Sequence, residues 1–459
     1  MRKTVYLLLS IILLLISEEA NAVYRSVGFT NVPSGFTNYT TLTTALSVAV
    51  SGDIVWVAAG TYAESELIVP VGVVVIGGFP SNSKTNSDRV YPGMNKTLTI
   101  LDGSASHRVA TVRGTLDGFI IRNGKTTGNG AGVLIDGGTV QSCIIKGNQA
   151  WNTNITTPSR GGGAYLQNGG TLINSVVAFN MASDGYGVAG ANGTLVNNTI
   201  TSNTNAPVFI KIPAGSFAAG DLTDGAATNV TLSEYSIAQT ETTNAQYAVF
   251  AAALGFGSTP TYTFTTESAT ACHFTAATYP IFATSSGTST DWGLNYVDGN
   301  WASVSGKENF PMVWVNWYGS LAYSIWLGGT LPTRAQWEYA ARKTNIGYSN
   351  TTYAGSATAN DVDWFSSNSG GSTKPVAIKL GNGINVYDMC GNAYEWSRDW
   401  DSSTYPSSAT DPTGPLSGAN RVVLGGSWES TTPCSVVFHN AGQPTAANGG
   451  YGFRPIIVP

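Results

Sequence analysis

Apolar residues in the first half of the chain fall in short runs separated by glycine and asparagine, and the runs share one frame. Four segments align: 115–121 (TLDGFII), 139–145 (TVQSCII), 171–177 (TLINSVV) and 194–200 (TLVNNTI). Their starts lie 24, 32 and 23 residues apart, and in the last three an asparagine (Asn148, Asn180, Asn203) holds the tenth position. Glycine-rich units intervene at 130–138, 161–170 and 185–193. Such self-similarity marks a repeat fold, in which each coil is too small to bury its own apolar residues and stacks on the next. The β-branched runs make short strands, glycine and asparagine absorb the φ > 0 bends, and stacked asparagine amides can bond from coil to coil. The 32-residue interval assigns an insertion, 151–158, to a protruding corner loop. Upstream, Leu42, Ala45, Leu46 and Ala49 have helical spacing, ahead of strands expected around 52–57 and 71–78. A short amphipathic helix there would cover the open end of the stack.

This half, residues 23–205, resembles the pectin-lyase-like right-handed parallel β-helices, especially their non-catalytic bacterial surface members. Polysaccharide cleavage on such a scaffold needs acids or bases converging on one face. Asp117 and Asp136 are the obvious acids in the aligned coils, and they occupy different coil positions. We read both as turn or inter-coil hydrogen-bond partners, and the half as a scaffold or carbohydrate-contacting stalk.

After Asn205 the pattern changes. Residues 207–215 (PVFIKIPAG) read as a strand and turn. A helix follows with Tyr247, Phe250, Ala251 and Leu254 on one face, and a second through Tyr318, Ala322, Ile325 and Trp326. A third opens at Thr333, with Gln336 three residues on as a capping box, and runs towards Arg342.

Composition narrows the function classes. Charged residues are 11% of the 459, with 22 Lys+Arg against 27 Asp+Glu, where roughly 25% is usual. A nucleic-acid partner would need clustered basic residues to displace counterions, so none is expected. The 42% hydrophobic content excludes a disordered chain. Arg2 and Lys3 precede an apolar run from Val5 to Ile16, and Ala20-Asn21-Ala22 closes the segment. Residues 1–22 therefore read as a secretory signal, too short for a membrane span, which takes roughly 20 apolar residues. The expected location is secreted, cell-surface or periplasmic. Cys143 lies alone in the first half, while Cys272, Cys390 and Cys434 leave at least one thiol unpaired in the second. With His107, His273 and His439 as the only histidines, a multi-histidine metal site is not expected.

The second half carries a more specific signal. FIKIPAGSF (209–217), ETTNAQY (241–247), PMVWVNW (311–317), LPTRAQWEYAAR (331–342), NVYDMCGNAYEW (385–396), RVVLGGSW (421–428) and YGFR (451–454) occur in that order. Together they resemble the formylglycine-generating enzyme (sulfatase-modifying factor) family across residues 206–459. The resemblance implies a C-type-lectin-like fold with small twisted sheets, two helices and bound calcium. The whole chain is then mainly β with α+β: a right-handed parallel β-helix followed by a formylglycine-generating-enzyme-type domain. Carried over residue by residue, the calcium ligands are Asp388, Gly391, Ala393 and Glu395, the glycine and alanine through backbone carbonyls. Two acids seven apart in a Gly-Asn turn also supply the hard oxygens that Ca²⁺ takes. A second calcium loop falls near 360–364 and is not fully matched.

Catalytic members place two cysteines after the GGS motif to bind copper and oxidise a substrate cysteine. Here those positions are Ser430 and Ser435, with Cys434 one residue out of place. A lone thiol does not make a paired soft-ligand site, so no catalytic residue is assigned and copper is not expected. The resemblance makes 429–450 the lining of the former substrate groove, and polar side chains on loops over a rigid frame suit recognition. We single out Glu429, Ser430, Cys434, Phe438, His439 and Gln443 as binding residues, with Trp428 and Tyr451 as further aromatic contacts. The expected role is an exported binding module for a protein or glycan ligand. The competing readings are a formylglycine-generating oxidase acting on a sulfatase cysteine, and a ligand-binding protein diversified by a retroelement, as some relatives are.

Overall fold

Parallel pairing of one coil on the next builds the first half. The computed structural model describes residues 22–458 except 91–98, 151–157, 184–186, 202, 221–227, 285–290, 298, 346 and 403–408. The expected secretory signal (all but Ala22) and the expected corner loop (all but Pro158) therefore lie outside the described residues. The chain divides into two compact units, Met1–Asn203 and Thr204–Pro459.

In the first unit the longest sheet has eight parallel strands, and its later members run Val74–Phe79, Thr115–Asp117, Thr139–Gln141, Thr171–Ile173 and Thr194–Val196. Their register is Thr115↔Thr139↔Thr171↔Thr194, which is the frame read from the sequence. Parallel sheets of six, five and four strands complete the coils. Leu116, Val140 and Leu172 stack inward, as do Ile121, Ile145 and Val177, all buried. The first unit is a parallel β-helix.

Buried polar groups must be bonded or they cost stability. Asn148 and Asn180 are fully buried and form the expected ladder. Asn148 Nδ2 donates to Asn180 Oδ1 at 2.9 Å, and Asn180 Nδ2 donates to Asn203 Oδ1 at 3.1 Å. The backbone N–H of Gly124 donates to Asn148 Oδ1 at 2.8 Å. Both acids of the aligned coils are tied down as well. Asp117 is paired with Arg89 at 2.8 Å and accepts from Gln141. Asp136 takes Arg113, Gln167 and Asn168, which hold its carboxyl down at about 2. The helix Leu42–Ser47 buries Leu42, Ala45 and Leu46. Glu64 accepts the N–H groups of Leu42 and Thr43 at its N-terminus, where donors lack intrahelical partners.

In the second unit the strands nearest its two ends share a sheet, with Phe209–Ile212 against Tyr235–Ala238 and the latter against Ile456–Ile457. A four-stranded sheet runs in the order His439–Gly442, Arg421–Leu424, Tyr394–Trp400, Tyr451–Gly452. The described residues hold three helices of nine or more residues: Asn244–Leu254, Trp317–Trp326 and Arg334–Arg342. That is one more than the resemblance implied. The third is fixed by its capping box, in which Thr333 and Gln336 satisfy each other's backbone N–H. Trp301, Trp317, Trp337 and Trp396 fill the core. Among the described residues no helix is long and apolar enough to cross a membrane.

Candidate functional site

The strand Arg421–Leu424 ends on two glycines, Gly425 and Gly426, at φ +83° and +82°. A Cβ on Gly426 would run into the sulfur of Cys434, so the thiol lies against this glycine. Cys434 is buried, and its backbone N–H donates to Asp363 Oδ2 at 2.8 Å. Burial pushes the thiol up to about 11, Asp363 adds to the rise, and the Ser430 hydroxyl opposes it. This is the reverse of an activated thiolate.

Asp363 is the centre of this floor. It pairs with Cys390 in a short parallel bridge, and Trp364 pairs with Gly391. Burial lifts its carboxyl to about 7 against the Cys434 N–H and Lys379, and its Oδ1 is buried without a hydrogen-bond partner. Burial also raises the Cys390 thiol. All four cysteines are unpaired.

Above the floor, five of the six expected binding residues reach the surface. Glu429, Phe438 and Gln443 are exposed, while Ser430 and His439 are half-buried. Cys434 departs from that expectation, because it faces the floor. Burial and the nearby Asp291 raise the Glu429 carboxyl. The Phe438 ring lies 6.3 Å from Tyr394, whose side chain bonds Ser430 and Asn440. His439 Nε2 lies 3.3 Å from Arg334 Nη1, and burial and that guanidinium hold its imidazole below the usual range. Trp428 donates its indole N–H to Gly449 O at 2.9 Å, and Tyr451 packs on Trp396 at 5.0 Å. The sequence reading does not single out Tyr394, Asp291 or Trp314, and it covers Asp363 only within the incompletely matched 360–364 segment. Tyr394 stands inside the NVYDMCGNAYEW motif, beside the loop expected to hold calcium. Trp314 takes φ +61° and lines Gly449 with its indole nitrogen, and nothing in its local sequence signals that conformation.

The comparisons with known proteins bear on this unit. A family model described as the sulfatase-modifying factor enzyme 1-like domain matches residues 196–458, more than half of the chain. The chain belongs to that family. Its sulfatase-modifying-factor domain is similar to a formylglycine-generating enzyme of Streptomyces coelicolor, 31% identical over 293 residues, covering 53% of this chain and 87% of that protein. A serine/threonine-protein kinase Pkn1 of Chlamydia trachomatis is 38% identical over 154 residues, covering 32% of this chain and 24% of the kinase. Among solved structures, Treponema denticola variable protein 1 aligns with a TM-score of 0.40 and 23% identity, covering 55% of this chain and 95% of that one.

Calcium is the cation implied for a sulfatase-modifying-factor domain of this kind, and the residues can be tested against it. Among the described residues no three His, Cys, Asp or Glu side chains converge as a ready cage. The expected set, however, draws two of its four oxygens from backbone. Glu241, Asp388 and Glu395 are buried. Burial, then Asp388 and Glu395, push the Glu241 carboxyl well above its usual range, burial and Glu395 raise Asp388 to about 6, and the Arg454 guanidinium offsets both. Asp388 Oδ1 is buried without a hydrogen-bond partner. Glu395 is turned to Arg454 and Trp337, and a carboxylate oxygen keeps a second lone pair. Excess buried anion beside an orphaned carboxylate oxygen fits a hard divalent cation.

Proposed function

We propose that the protein is an exported binding protein. In this reading its sulfatase-modifying-factor domain recognises a protein or glycan ligand across Glu429, Ser430, Phe438, His439 and Gln443, without redox chemistry. The observation that carries the proposal is the placement of Cys434. Serines hold both positions of the family's catalytic pair, and the neighbouring thiol is buried against Gly426 with its proton held on. An oxidation that begins from paired thiolates has no such pair on this face. Tyr394, Phe438 and Tyr451 offer flat apolar contact beside polar loop groups, a combination that suits recognition. Asp388 and Glu395, with the carbonyls of Gly391 and Ala393, would hold calcium, which supplies charge to brace the loop beneath.

The test is oxygen uptake with a cysteine-containing sulfatase peptide, together with copper stoichiometry on the purified protein. We expect no uptake and no stoichiometric copper. Uptake that disappears in Cys434→Ala would instead establish the oxidase.

A further inference from the structure

A cavity of about 340 Å³ lies in the second unit, between the start of the helix Arg334–Arg342, the end of the strand Tyr394–Trp400 and residues 412–415. Its polar lining is Arg334, Asp399, Ser402 and Thr413. Pro412, Pro415 and Val422 form apolar walls. Two fixed contacts set its shape. The backbone N–H of Arg334 donates to Asp399 Oδ2 at 2.9 Å, which anchors that carboxylate at the helix N-terminus. Gly414, at φ +70°, comes so near that a Cβ would sit 2.8 Å from Asp399 Oδ1, so only glycine leaves that side of the carboxylate clear. Trp400 is a fixed wall, because its indole N–H is bonded to His273 O and its ring covers Arg421.

The lining selects a ligand class. Among the lining residues one guanidinium and one carboxylate balance, with Arg398 and Arg421 acting on Asp399 from behind the wall, so an anion meets Asp399 and a cation meets Arg334, each at a cost. A neutral molecule with several hydroxyls donates to Asp399, accepts from Arg334 and exchanges hydrogen bonds with Ser402 and Thr413. Its C–H faces suit the proline and valine walls. The volume is at the small end for ligand sites. We propose that this cavity binds a neutral sugar ring.

The test is saturation-transfer NMR on the full chain with D-glucose, D-galactose, D-mannose and N-acetylglucosamine, with glycine as the zwitterionic control. At least one sugar should show transfer. Arg334→Met and Thr413→Leu should each weaken it about tenfold or more while the thermal melt stays in place. Three results would overturn the proposal: no transfer to any sugar, transfer unchanged in both variants, or transfer to glycine alone. The cavity takes no part in the oxygen and copper assays, so this inference and the proposed function fail separately.

Discussion

Arg454 grips Glu395 in the dry centre of the second unit, with Nε–Oε2 at 2.7 Å and Nη2–Oε1 at 2.6 Å. Neither side chain is more than 1% exposed. The guanidinium also donates to the carbonyls of Ala238 and Tyr387, and Trp337 donates to Glu395 Oε2. Removing one member strands the other charge, which costs about 3–5 kcal/mol. Arg454→Met and Glu395→Gln should each lower stability by that order in chemical denaturation. Arg454→Lys should do nearly as badly, because an ammonium cannot reproduce the planar fork.

Calcium binding at the neighbouring loop should raise the melting temperature of the second unit, since a ligand that binds only the native state stabilises it by mass action. Asp388→Asn should abolish that response while leaving the fold intact. A melt indifferent to added calcium and to chelator would remove the calcium assignment.

Gly426 is constrained twice, by its left-handed backbone and by the sulfur beside it. Gly426→Ala should cost at least the roughly 1–2 kcal/mol of backbone strain, with an additional steric term. Adding Cys434→Ala should recover only the share due to the sulfur, because the Cys434 Cβ itself lies 2.5 Å from where the new Cβ would sit. Full recovery in the double variant would mean that φ is not a constraint there.

The asparagine ladder makes a local prediction. Asn180→Ala removes the acceptor for Asn148 N–H and the donor to Ile145 O, and each orphaned buried group costs about 1–3 kcal/mol. Hydrogen exchange should quicken in the two coils on either side and remain slow in the second unit.

Asp399 carries a pH signature. Burial lifts its carboxyl to about 6, against an unfolded value of about 3.9. Between those values the unfolded chain has lost the proton that the native state keeps, so stability falls as pH rises from about 4 to about 6 and is level above. Asp399→Asn keeps an acceptor for Arg334 N–H and removes that slope. Urea unfolding at pH 4.5 and pH 7.5 should show the variant gaining on the wild type by about 2 kcal/mol. An equal difference at both pH values would contradict the assignment.

What could be read beforehand follows from where the physics is local. The coil register was legible because threonine, leucine and asparagine recur at equivalent positions, and stacking converts that period directly into the pairing Thr115↔Thr139↔Thr171↔Thr194. The helix at Arg334 was legible because a capping box lies within four residues. The inward turn of Cys434 was not, because it depends on a positive φ at Gly426 and on Asp363, seventy-one residues away in the chain. The carboxylate group around Arg454 was half legible. Asp388 and Glu395 share one motif, whereas Glu241 joins them only through its bonds to Asn392 and the Ala393 N–H.

Because the aligned coils share a threonine followed by a leucine or valine, and the last three share an amide, the first unit has an adjustable height. Duplicating one coil of about two dozen residues lengthens the first unit by a single strand spacing, roughly 4.8 Å, without asking any neighbour to change. A lineage can thus lengthen or shorten the first unit by copying or dropping a segment of gene.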